Sequence, residues 1–164
     1  MEDLKTFIGV KMVQAKPMSH YQFLSEIKKV NNTAAMNELY GPNQEGYLVV
    51  YPDGYKSWSP KDTFESAYYG LSCDNVITGN DVANFIDEGK FLQLSDKSAV
   101  VTYTGKSGFE YNEISACVDP ARFKEEIAMT VTKNSAMDKV WEHLGFVLQW
   151  AKNGLKRCES QNLK

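Results

Sequence analysis

The segment GYLVVYPDGYKSWSP, residues 46–60, restricts the fold more than any other part of the chain. GYLVVY and YKSW are short β-prone runs joined by Pro52, Asp53 and Gly54. Proline presets φ for a type I turn, aspartate tolerates the next position, and glycine accepts the left-handed conformation that closes a three-residue hairpin loop. With Tyr51 set opposite Tyr55, antiparallel counting pairs Leu48 with Trp58 and Val50 with Lys56 on one face. Tyr47, Val49, Tyr51, Tyr55 and Ser57 fall on the other. Ser59 is placed to cap a following helix, Pro60 suits its first position and Asp62 complements its dipole. Phe64 and Tyr68 then share a helix face, and Gly70 can end it. The expectation is a ββα unit with its hairpin at 46–59 and its helix at 60–69.

Upstream, TFIGVKMVQA predicts an opening strand that Pro17 ends. Ser19 and Gln22 have the spacing of a capping box, which predicts a helix to about Lys29 carrying Phe23 and Ile27. NNTAAMNELYGPNQ has turn residues at both ends and no sustained period, so it reads as a loop.

Beyond GLSCDNV, near residues 70–76, the pattern changes. Thr78 opens a helical segment with Val82, Phe85 and Ile86 at helical spacing and Gly89 as its stop. KFLQLS, AVVTYT and FEYNEISACV, separated by DKS and GKSG, predict an antiparallel meander. Asp119 and Pro120 predict a helix start, with Phe123, Ile127, Ala128 and Val131 on one face. A last helix is expected from about Ser135 to Asn153, with Phe146 and Trp150 at i, i+4 partly off its main apolar stripe. The fold class is therefore α+β: two small abutting modules, 1–72 and 76–155, and a polar tail at 156–164.

Composition narrows the function. The chain has 164 residues, 43% hydrophobic and 24% charged, with a net charge of −3, which fits a globular protein and offers no basic stripe for nucleic acid. The first residues lack the pattern of a secretory signal. No run approaches the roughly 18 apolar residues of a membrane span. The three cysteines, Cys73, Cys117 and Cys158, are far apart and read as free thiols.

Few residues have the spacing that chemistry requires. TGKSG at 104–108 contains part of a phosphate-binding loop, but Val100 stands where that motif needs glycine and a strand follows where it needs a helix. A hairpin turn explains it better. Cys117 with His143 would need to meet in space to act as nucleophile and base, and a buried, inert thiol is the simpler reading. The two histidines make no metal cluster with the scattered cysteines, and no cofactor is expected. Adjacent acids such as Glu125 with Glu126 point to different azimuths and read as solvated charge. Aromatic residues are the remaining cue. Tyr47, Tyr51 and Tyr55 could stack on a base or form a protein-binding hot spot, with Lys56 beside them for phosphate. Phe146 and Trp150 are the second binding candidates.

EISACVDPARFKEEIA followed by KVWEHLGFVLQW resembles a small family of tailed-phage proteins named after gene product forty-nine of phage N-four. TFIGVKMVQAKPM and the 45–69 segment resemble an amino-terminal module of various small phage proteins. The resemblance carries no catalytic residues. It implies a phage or prophage accessory protein in the host cytoplasm. The expected role is non-enzymatic: binding a host macromolecule, with a host protein such as a defence component as the expected partner, to inhibit or redirect it. The alternatives are a small-molecule binder that sequesters a nucleotide signal and a small cysteine-dependent enzyme. A homo-oligomer is compatible with either binding role; membrane association is not expected, and nucleic acid ranks last.

Overall fold

A computed structural model describes residues 5–156. The chain is α+β and divides after Gly70 into two compact units, each built on its own three-stranded antiparallel sheet.

The first unit contains β1 (Gln14–Pro17), β2 (Gly46–Val50) and β3 (Lys56–Pro60), in the order β1-β2-β3. The β2–β3 hairpin has the expected register, with Leu48 opposite Trp58 and Val50 opposite Lys56. Gly54, at φ +82°, takes the left-handed position, and its N–H donates to the Tyr51 carbonyl at 2.8 Å. The opening strand is shorter and later than expected. Only Gln14–Pro17 pairs with β2, with Pro17 inside the strand at its outer edge, while residues 5–13 have no regular structure.

Helix α1 (His20–Glu26) begins at the Ser19–Gln22 capping box, whose two reciprocal hydrogen bonds are both formed. It stops before Lys29, which has φ +61°. Residues 33–40, expected as loop, form a second helix, α2 (Thr33–Tyr40). The Asn32 side chain accepts from the Ala34 and Ala35 N–H groups, and Gly41 at φ +77° ends the helix. Helix α3 (Lys61–Ala67) starts one residue later than expected. Pro60 rather than Ser59 occupies the cap position, no side chain caps the helix, and Tyr68 is already extended, so Gly70 is not its stop.

The two faces of β2 are covered differently. On one, Met18, Phe23 and Leu48 form a buried cluster, with Ile27, Val50 and Trp58 packed against it. Trp58 stacks on His20 at 4.3 Å and donates its indole N–H to the Met18 carbonyl at 2.8 Å. Both the apolar ring and its polar atom are thereby satisfied. On the other face, Val49 is buried and α3 lies across the sheet.

The second unit opens with a segment leading to α4 (Gly79–Ala83), which is short: Phe85 and Ile86 lie beyond its end, and Ile86 bridges to Gly105. Strands β4 (Lys90–Ser95), β5 (Ser98–Thr104) and β6 (Glu110–Ala116) make the meander. The GKSG turn joins β5 to β6, with Gly108 at φ +81°. Asp119 and Pro120 start only a single 3₁₀ turn, Pro120–Arg122. Phe123 and Lys124 are extended, and one continuous helix, α5 (Glu125–Asn153), replaces the two expected. The second of those was expected to begin near Ser135, just after the polar Thr132, Lys133 and Asn134. No break occurs there, because the buried stripe Ala128, Thr132, Ala136, Val140, Leu144 repeats every four residues straight through. Small residues in that stripe let the helix lie close to β5 and β6, over Val101, Tyr103 and Tyr111. Burying a valine such as Val140 or Val101 contributes about 1.5–3 kcal/mol. Residues 157–164, which include Cys158 and most of the expected polar tail, lie outside the described residues.

Candidate functional site

The tyrosine face of the hairpin is largely occupied by the chain itself. Tyr47 stacks on Phe64 at 4.4 Å, and Phe64 on Tyr68 at 4.8 Å. The Tyr47 hydroxyl donates to Glu65 Oε1 at 2.7 Å, and this bond to a carboxylate raises the phenol above its ordinary pKa. Burial raises Tyr68, with a smaller contribution from Tyr51 beside it. Lys11 Nζ lies 5.8 Å from the Tyr51 ring centroid. The i, i+4 pair Phe64 and Tyr68 thus uses the face that Tyr47 and Tyr51 would present to a ligand. Tyr55, 61% exposed, and the exposed Lys56 remain open near the hairpin tip.

Cys117 and His143 are not brought together. The His143 Nδ1 is hydrogen-bonded with the Tyr111 hydroxyl at 3.1 Å. Cys117 lies six residues further along the same extended segment, roughly 20 Å away at strand rise. Its thiol donates to the Asp119 carbonyl at 3.1 Å, and its backbone N–H pairs with Lys97. Among the described residues no group of three histidine, cysteine or acidic side chains could hold a metal. No helix among them is long and apolar enough to cross a membrane.

The structure does bring together a row of aromatic residues in the second unit. Phe109 leads into β6 and Tyr111 follows two residues on, so both rings lie on the strand face that meets α5. Phe109 contacts Tyr111 edge-on at 5.1 Å and His143 at 5.4 Å. Phe146 is one helical turn beyond His143, on the same side of α5. It meets Trp150 at 6.0 Å in a tilted edge arrangement. Tyr111 is buried at the base of this row, and burial raises its hydroxyl pKa. Phe109 is 55% and Phe146 65% exposed, and Val147 beside them is also open to water.

Such a row has no nucleophile or paired acids. It offers rigid aromatic area around a hydrogen-bonded imidazole, which is the chemistry of apolar and aromatic recognition. Sequence spacing singled out Phe146 and Trp150 but missed Phe109 and Tyr111. The i, i+2 placement of Phe109 and Tyr111 was a visible signal for a shared strand face. Their meeting with His143 was not, because it depends on how α5 crosses β6.

Residues 74–151, just under half of the chain, match the model of the phage protein (N4 Gp49/phage Sf6 gene 66) family. The matched segment contains the whole aromatic row. It does not reach the first unit, and so gives no support to the likeness of residues 1–73 to a phage amino-terminal module. No curated protein and no solved structure matches the chain.

Proposed function

We propose that this chain is a phage accessory protein that acts in the host cytoplasm by binding a host protein, inhibiting or redirecting it without catalysis. The phage setting rests on the family match over residues 74–151. The observation that carries the binding role is the row Phe109–His143–Phe146–Trp150, in which Phe109 and Phe146 are exposed and place large aromatic area on the surface. Aromatic anchors of this kind supply most of the energy of protein interfaces. Water-exposed aromatic area gains nothing for the free protein and is stabilised only when a partner covers it. A component of host defence is the target class that fits an accessory protein of a phage.

The test is affinity capture from host lysate with the wild-type chain and with Phe146→Glu in parallel. Phe146 is exposed, so the variant should melt as the wild type does. The expected result is one host protein recovered stoichiometrically with the wild type and lost with Phe146→Glu. Equal recovery with both chains would sink the assignment of this surface, and recovery of a nucleotide instead of a protein would replace the reading altogether.

A further inference from the structure

The meander has a second face, opposite α5. Registry places Leu92, Val100 and Ile114 side by side in one row across β4, β5 and β6. Leu92 is 60% and Ile114 70% exposed, and Leu94, at the irregularity between Gln93 and Ser95, is 55% exposed. The next row is Lys90, Thr102 and Asn112, and beyond it Thr104 pairs with Glu110. The three strands carry only three charged residues, Lys90, Glu110 and Glu113. Glu113 belongs to the other face, where Lys139 of α5 pairs with it. Within the strands, the outer face is therefore an apolar row with one cation and one anion at one end, on opposite edge strands, while Asp96 and Lys97 lie in the turn at the other end.

That arrangement is self-complementary. We propose that this outer face docks a second copy of the chain, face to face, about a two-fold axis running along β5. Such an axis exchanges β4 with β6 and keeps height along the strands. It sets Leu92 over the second copy's Ile114 and Val100 over its own equivalent, and it closes the same contacts twice. It also sets Lys90 above the second copy's Asn112, one step along the strand from the second copy's Glu110, within reach of a long flexible side chain. Two ion pairs result, one on each side of the axis. The other in-plane two-fold, perpendicular to the strands, would lay Lys90 on the second copy's Leu94 and move it to the opposite end of the face from that copy's Glu110. The Lys90–Glu110 pairing thus belongs to one of the two sheet-on-sheet dimers, in the aligned class of sheet packing.

The face is small. Three strands of about seven residues span roughly 23 Å by 14 Å, below the usual size of a stable interface. The dimer should therefore form in the micromolar range, fall apart on dilution and weaken with salt. It uses the side of the sheet opposite the aromatic row, so it stands or fails independently of the host-binding surface.

Sedimentation equilibrium of the full chain over a concentration series tests the proposal. Dimer is expected at the upper concentrations, with Ile114→Lys monomeric throughout and unchanged in melting temperature. Lys90→Glu and Glu110→Lys should each weaken association about tenfold or more, a shift of about 1.4 kcal/mol. The double variant Lys90→Glu/Glu110→Lys should restore it, because the pairs re-form with their signs exchanged. A wild-type chain that remains monomeric at every concentration overturns the proposal. So does a dimer indifferent to Ile114→Lys, or a double variant no better than either single one.

Discussion

The Tyr103 hydroxyl lies 3.0 Å from Thr132 Oγ1, and both residues are shut off from water. The contact ties the central strand β5 to the middle of α5. Each group has a second partner: Tyr103 also reaches the Met129 carbonyl at 3.1 Å, and Thr132 reaches the Ala128 carbonyl at 2.7 Å. No buried side-chain polar atom among the described residues lacks a partner.

Because each hydroxyl keeps one partner when the other is removed, Tyr103→Phe and Thr132→Val should each cost about 1 kcal/mol rather than the larger penalty of an orphaned buried group. The double variant should lose less than the two single losses added together. Urea unfolding of the four chains measures this. Strict additivity would show that the two side chains do not communicate.

Glu113 faces α5 from β6 and is nearly buried, whereas its partner Lys139 is half exposed. Lys139→Ala removes the cation and leaves the carboxylate facing the helix. Solvent screening at the lysine end holds the expected loss to about 1 kcal/mol. Glu113→Gln combined with Lys139→Ala should recover part of it, since a neutral amide needs no counter-ion. A double variant less stable than Lys139→Ala alone would contradict this account.

Gly46 shows how tightly the first unit is packed. A Cβ at this position would lie 2.3 Å from the Ser59 carbonyl oxygen and 2.6 Å from the Trp58 ring. Neither the strand backbone nor the indole, held by its hydrogen bond to Met18, can move away without loss. Gly46→Ala should therefore destabilise the hairpin unit by about 1–3 kcal/mol, as overpacking does. Gly54→Ala should also destabilise it, through its positive φ alone, because its Cβ would meet open space. Thermal melts followed by tryptophan fluorescence separate the two. An unchanged melt for Gly46→Ala would mean that β2 and β3 sit further apart.

What could be read from the sequence was local. The PDG turn, the hairpin register and the Ser19–Gln22 box each depend on a few neighbouring residues, and each is present. Helix α2 was missed because its eight residues bury only Met36 and show no sustained apolar period, although Asn32 and Gly41 mark its ends correctly. The continuity of helix α5 through residues 132–135 is hidden in the sequence because Thr132 is a polar residue type, and only the position of Tyr103 makes it a core residue. The tyrosine face was ambiguous for a similar reason. Its occupants, Phe64 and Tyr68, were recognisable as a helix pair, but the angle at which α3 returns over β2 is not encoded in spacing. Surface rows such as Leu92–Val100–Ile114 need strand registry before they can be seen at all.

Asp81 supplies the last expectation, and a pH dependence with it. Its Oδ1 accepts the Ser72 hydroxyl at 2.6 Å and the Ser72 N–H at 2.8 Å. Its Oδ2 accepts the Thr78 hydroxyl at 2.7 Å and the Thr78 N–H at 2.8 Å. The carboxylate thereby fastens the entry segment of the second unit to the first turn of α4. The Ser72 hydroxyl, followed by that of Thr78, holds the carboxyl far below the usual range, against the opposing effect of burial. A depressed folded-state pKa stabilises the fold fully above the unfolded value, near 4, and that contribution drains away as the pH falls below it. The wild-type melting temperature should accordingly drop on acidification through this window. Asp81→Asn sets its amide N–H₂ against either the Ser72 or the Thr78 backbone N–H, neither of which can accept, so it should melt several degrees lower at neutral pH. The gap between the two chains should narrow as the pH falls, since wild-type Asp81 then protonates and loses the same bonds. A gap that stays constant from neutral to acid pH would show that the charge of Asp81 contributes nothing to the fold.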